Sequence, residues 1–115
     1  MKQYLTIEDL KEYITSFNKF KKVIESVKIE WFSAGVFDKS WLEELASNLT
    51  IGILLEAVEE HITKINKDMY RSCWVLHTDS PSMRISKEEL IDCLWLFLRA
   101  RLGRWRSIKK EEELE

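Results

Sequence analysis

The sequence predicts an all-α protein, a compact bundle of four to six helices. Three observations predict it. Glycine (3) and proline (1) are too scarce for a turn-rich β-sandwich. Apolar residues recur at three- and four-residue steps over most of the chain, which gathers them on one helix face. Helix-opening pairs, Ser40 with Glu43 and Ser86 with Glu89, stand just ahead of apolar runs. With 115 residues, 45% of them apolar, the chain fits one domain with a real core. Residues 1–108 are assigned to the bundle and 109–115 to a charged tail.

The first helical stretch is "TIEDLKEYITSFNKFKKVIESVKIEWF". Thr6 is placed to cap it, and Glu8 and Asp9 suit the positive end of its dipole. Leu10, Tyr13, Ile14, Phe17, Phe20, Ile24 and Val27 form its stripe, and a break near Asn18 would divide it in two. "SAGVFDKS" is the first punctuation, with Gly35 free to take a positive φ. The Ser40–Glu43 box opens a helix carrying Trp41, Leu42, Leu45 and Leu49. Thr50 caps "IGILLEAVEEHITKI", whose stripe is Ile51, Leu54, Leu55, Val58, Ile62 and Ile65. The next segment, "NKDMYRSCWVLHTDSPSMR", reads either as a helical start or as a short extended piece at "YRSCWVL". "HTDSPS" is a loop on either reading, because Ser80 precedes Pro81. The last helix runs from Leu90 to Leu102 and closes at Gly103. An architecture of this kind names no function.

A net charge of −2 fits neither a blanket polyanion binder nor a membrane-surface protein. The charge is unevenly spread, however. Residues 1–83 carry 10 Lys/Arg and 13 Asp/Glu, residues 84–110 carry 8 and 3, and the tail "EEELE" adds four acids. A basic block therefore lies between two acidic ones. The start of the chain is charged and polar, unlike a secretory leader, and "LWLFL" and "IGILL" are too short to cross a bilayer. The expectation is a cytoplasmic protein in which Cys73 and Cys93 are buried free thiols.

Catalytic and metal motifs are missing from the sequence. Cys73, His77, Cys93 and His61 are its only soft or imidazole ligands, and they lack the paired close spacing of a structural zinc site, so no metal is expected. A Cys73–His77 pair lacks a glycine-rich oxyanion loop. Glu43/Glu44 and Glu59/Glu60 read as solvated helix surface. There is neither a phosphate-binding G-x-x-x-x-G-K-[ST] loop nor a G-x-G-x-x-G turn. A nucleotide would have to be held by side chains and helix ends.

The informative feature is the basic block. Arg99, Arg101, Arg104 and Arg106, with Lys109 and Lys110, surround Trp105. Offsetting the negative end of a helix dipole explains one or two of these cations, since the effect is confined to the last turn. Arginine grips phosphate through paired hydrogen bonds, and an indole offers a face for an unpaired base. The competing reading has the arginines paired with the glutamates of the tail. A second aromatic and basic cluster, Tyr70, Arg71, Trp74 and His77, lies ahead of Arg84 and reads as buried core or as a stacking surface. Trp31 and Phe32 are assigned to packing.

In size, in helix content, in its "WLEELASNLTIGILLEAVEEHITKI" middle and in its arginine-rich "LWLFLRARLGRW" end, the chain resembles a known family. It is similar to the helix-bundle accessory domain of archaeal plasmid primase-polymerases of the archaeo-eukaryotic primase class. That resemblance implies a non-catalytic module that binds single-stranded DNA template and nucleoside triphosphates such as ATP, with or without magnesium. Its partner would be the catalytic primase-polymerase domain of the same chain. The contact residues are chosen from chemistry. Tyr70, Trp74 and Trp105 would stack on bases, and Arg71, Arg99, Arg101, Arg104 and Arg106 would meet phosphates. His77 and Arg84, with Arg71 and Trp74, would hold the nucleotide. An acidic chain binding this way would have modest, salt-sensitive affinity. Two other readings compete: a small helical protein-interaction domain of the viral or phage inhibitor type with a basic helix end, and a helical enzyme using Cys73 and His77.

Overall fold

In the computed structural model, which describes residues 2–31, 37–79 and 82–114 and the side chains as far as residue 103, Thr6 opens the first helix. Its hydroxyl accepts from the Asp9 amide at 3.2 Å while the Asp9 carboxylate accepts from the Thr6 amide at 2.9 Å, a reciprocal capping box. Helix α1 (Ile7–Lys11) is short. Ser16, rather than Asn18, marks the division of the long N-terminal stretch, its Oγ accepting from Lys19 N at the start of α2 (Phe17–Ser26). At the far end of α2 the Ile29 amide donates to Ile24 O at 3.2 Å and the Lys28 amide to Glu25 O, with Lys28 in the left-handed region at φ 57°. This is a Schellman ending with a lysine where glycine is usual.

Helix α3 (Lys39–Asn48) starts two residues earlier than the Ser40–Glu43 pattern predicts, because Asp38 takes the cap by accepting from Ser40 N at 2.9 Å. Thr50 does cap α4 (Ile51–Val58), accepting from Ile53 N at 3.3 Å. Phe20 sits at the centre of an aromatic cluster. Trp31, Phe37 and Trp41 lie 5.1, 5.3 and 5.5 Å from it between ring centroids. Trp31 is thus a packing residue, and Phe32 lies outside the described residues.

The all-α expectation fails after Val58. The chain is mixed α/β, with a three-stranded antiparallel sheet in the order β1-β2-β3 beside its helices. A single 3-10 turn, Glu59–His61, leads into β1 (Ile62–Asp68). β1 pairs with β2 (Cys73–Asp79), which pairs with β3 (Ser82–Lys87). The physical reason for the misreading lies in one residue. Register shifts between Ile62 and Lys64, so that Ile62 opposes Thr78 while Lys64 opposes His77. Thr63 is the extra residue of a β-bulge, and the bulge puts Ile62 and Ile65 on the same face. Three-residue spacing is a helix signature, and here a bulged strand imitates it. β2 conceals itself differently. Cys73, Val75, Leu76 and Thr78 are all buried, so the period-two alternation of a half-exposed strand is lost. "HTDSPS" is correspondingly not all loop, since His77, Thr78 and Asp79 extend β2 and Ser82 begins β3.

Helix α5 (Leu90–Leu114) begins where expected and continues past Gly103. Its buried Ile91, Cys93, Leu94, Phe97 and Leu98 share one core with α4, α2, α3 and the inner sheet residues Leu76 and Ile85. The N-terminus is strapped to this core. The Lys2 amide donates to Glu89 Oε2 at 2.8 Å, and its Nζ bonds Asp9 at 2.7 Å and Asp92 at 3.0 Å. The Trp95 indole donates to the Asp9 carbonyl at 3.1 Å. One helical layer therefore covers one sheet face, and among the described residues the helices of the core all lie on that side.

Candidate functional site

The open face is set by register. Lys64 opposes His77, and His77 opposes Arg84, so three basic side chains stand in one row across three strands. Directly opposed residues have β-carbons about 5 Å apart, so Lys64 and Arg84 flank His77 from the two outer strands. Lys64 and Arg84 are exposed and His77 is half-buried between them. Among the described residues, no hydrogen bond or ion pair engages any of the three side chains.

The next row along the strands is Asn66, Val75 and Ser86, neutral and small, with Val75 only 2% exposed as its floor. Beyond it Asp68 opposes Cys73 at the mouth of the β1–β2 hairpin. Asp68 shapes the tip. Its Oδ1 accepts from the Tyr70 amide at 3.0 Å and the Arg71 amide at 3.2 Å, and its Oδ2 lies 4.0 Å from Arg71 Nε. Asp68 belongs to the open face, so this contact holds Arg71 Nε at that end of the face. Ser72, at φ 52°, returns the chain into β2. Tyr70 at the tip is fully exposed (101%), and Met69 beside it is 79% exposed.

The predicted site residues divide accordingly. His77 and Arg84 stand side by side, with Arg71 and Tyr70 at one end of the same surface. Trp74 is on the opposite, core-facing side, half-buried, with Lys67 Nζ 5.5 Å from its ring centroid. Arg99 and Arg101 are on α5, away from the sheet's open face. Arg99 pairs with Glu12 and lies over the Tyr13 ring, and the Arg101 guanidinium carbon is 6.0 Å from the centre of the Phe97 ring. The side chains of Arg104, Trp105 and Arg106 lie outside the described residues, as do Lys109, Lys110 and the tail glutamates. Sequence reasoning missed Lys64. Its signal was the polar alternation Lys64, Asn66, Asp68, hidden while the segment read as helix.

No family model matches the chain, nor does any curated protein or solved structure. The residues themselves therefore carry the functional argument.

Both cysteines are buried and unpaired. Burial chiefly, with the Asp92 and Cys73 charges adding to it, pushes the Cys93 thiol up to about 11. Its Sγ instead lies 3.6 Å from the Trp74 carbonyl oxygen, behind the sheet. Cys73 and His77 share the open face with Val75 between them. Among the described residues, no three His, Cys, Asp or Glu side chains are grouped to hold a metal, and no helix is long and apolar enough to cross a membrane. Two concavities lie elsewhere, about 510 Å³ between Tyr4, Leu5 and α3 and about 390 Å³ beside Phe17, Phe20 and Trp31. Each presents a carboxylate, Glu43 or Glu25, to an approaching anion.

Proposed function

We propose that the chain is a binding module for single-stranded nucleic acid and that the open face of its sheet is the interface. Phosphates meet Lys64, His77, Arg84 and Arg71, and an unpaired base stacks on Tyr70. The observation that carries this reading is the Lys64–His77–Arg84 row. Two cations flank an imidazole across three strands, and a bound phosphate would accept hydrogen bonds from all three side chains. Cationic groups for the backbone and an exposed aromatic ring for a base are the usual equipment for holding a strand without reading its sequence. In the setting of a primase accessory domain, His77 and Arg84 would take the phosphates of ATP or another nucleoside triphosphate, and the template strand would cross the rest of the face. The helix content behind that resemblance is now partly sheet, so the interface, and not the resemblance, supports the binding.

The test is an NMR titration of the full chain with a short single-stranded oligonucleotide, with and without ATP, at low and moderate salt. Amides of β1, β2 and β3 are expected to shift, and Lys64→Glu with Arg84→Glu is expected to abolish the response while the free protein's spectrum keeps its dispersion. If no amide moves at low salt, or if only α5 responds, the sheet face is not a nucleic-acid interface. A second reading, a protein-contact knob at the hairpin tip, is favoured by the exposure of Met69 and Tyr70. It predicts binding that is lost with Met69→Ser and Tyr70→Ser and indifferent to the row.

A further inference from the structure

We infer that this interface takes an oligonucleotide held at two separated points, and that a mononucleotide engages only one of them. The inference rests on the reading above and adds a ligand length to it. One point is the row Lys64–His77–Arg84. The other is the hairpin tip, where Tyr70 offers its ring and Asp68 holds Arg71 Nε at that end of the open face.

The two points are far apart. Four residue steps take the strand from Lys64 to Asp68, which at about 3.4 Å per step is roughly 13 Å, and the turn carries Tyr70 further out. Between them the face cannot hold a phosphate well. Asn66, Val75 and Ser86 are neutral, and the Asp68 carboxylate would repel one. A ligand that uses both ends must therefore carry anionic charge at the row, cross a neutral stretch and deliver a base or phosphate to the tip. Stacked nucleotides advance about 3.4 Å each along a strand, so spanning roughly 15–20 Å takes about four to six of them. A single nucleotide does not reach.

The tip is built to stay in place. Two backbone amides are tied to Asp68, and Ser72 holds a left-handed conformation at its base. A ring on an ordered turn loses little conformational freedom when a base stacks on it. Its fully exposed position leaves both of its faces open.

The experiment measures the affinity of the full chain for thymidine monophosphate and for thymidine di-, tetra-, hexa- and octanucleotides at fixed low salt. Affinity is expected to climb steeply between the dinucleotide and the hexanucleotide and then level off. Tyr70→Ala should weaken hexanucleotide binding about tenfold and leave the monophosphate unaffected. Arg84→Ala should weaken both. Affinity that does not rise with length, or a hexanucleotide that binds Tyr70→Ala as tightly as it binds the parent chain, overturns the two-point span while leaving the interface standing. Failure of every oligonucleotide to bind overturns the interface itself and the span with it.

Discussion

Arg99 Nη1 lies 3.4 Å from Glu12 Oε2, and the Arg99 guanidinium carbon stands 5.7 Å from the centre of the Tyr13 ring. This arginine belongs to the basic block that drew attention in the sequence, yet in the fold it clasps α5 to the end of α1. Its Nε is closed to water and has no partner, which a free phosphate-binding arginine would not tolerate as readily. Arg99→Ala is therefore expected to lower unfolding free energy by about 1 kcal/mol, through lost cation–π contact and stem packing. The same substitution should leave oligonucleotide affinity unchanged. Denaturant melts and a binding titration on one preparation separate the two effects, and a loss of affinity equal to that of Arg84→Ala would return Arg99 to the interface.

The residues show how far the sequence could be read. Caps were legible at Thr6 and Thr50, because a side-chain acceptor followed by an apolar run has one main use. The sheet was not legible, since a bulge at Thr63 spaced Ile62 and Ile65 like helix neighbours, and Cys73 and Val75 on the open face removed the alternation from most of β2. The site was legible only as residue types. Tyr70, Arg71, His77 and Arg84 were chosen for their chemistry, but which of them share a surface depends on strand register. A short segment does not reveal its register until its partners are known. Lys64 joined the row only through that register.

Lys28 offers a test of the backbone. It holds φ 57° at the Schellman ending of α2, a conformation that costs a side-chain-bearing residue about 1 kcal/mol relative to glycine. Lys28→Gly is expected to raise stability by about 0.5–1 kcal/mol, net of the extra entropy of the unfolded chain. Lys28→Val should lower it, because a β-branched residue adopts this region least readily. Chemical denaturation of the pair decides the matter by the sign of the difference between them.

The strap at Lys2 should make stability depend on pH in two places. Burial works to raise the Asp9 carboxyl, but hydrogen bonds from Lys2 and Thr6 outweigh it and hold the group below its ordinary 3.8. Its contribution is present above that value and is lost as pH falls through the lower folded one. Burial likewise works to lower Lys2, and hydrogen bonds to Asp9 and Asp92 outweigh it, holding the ammonium above its ordinary 10.5. That contribution is complete below 10.5 and is lost as pH rises through the folded value. Lys2→Met is expected to cost about 1 kcal/mol in the neutral range. The difference from the parent chain should shrink in acid below pH 3.8 and in alkali above pH 10.5. A difference that stays constant through both limbs would mean that the strap is not electrostatic.

Cys93 should be inert while the chain is folded. It is fully buried, and its thiol ionises only near 11. Thiolate is the reactive form, so thiol labelling at neutral pH is expected to be slow in buffer and fast in denaturant. The single-cysteine variant Cys73→Ser isolates this signal. Rapid labelling of that variant under native conditions would show that α5 opens from the sheet, and would revive chemistry at this thiol.

Salt dependence tests the sheet face most directly, because it counts phosphates. Each phosphate neutralised on a single strand contributes about −0.7 to the slope of log affinity against log salt. Lys64, Arg84 and Arg71 are the cationic groups that this reading places against phosphate. The slope for a hexanucleotide is therefore expected near −2. Lys64→Ala and Arg84→Ala should each make it shallower by about 0.7, together with a uniform loss of affinity across base compositions. Tyr70→Ala should weaken binding with the slope unchanged, since a stacked ring displaces no counterion. A slope steeper than about −3 would require more cations than this face holds. The missing contacts would then have to come from the arginines beyond Gly103, which would move the interface from the sheet to the last helix.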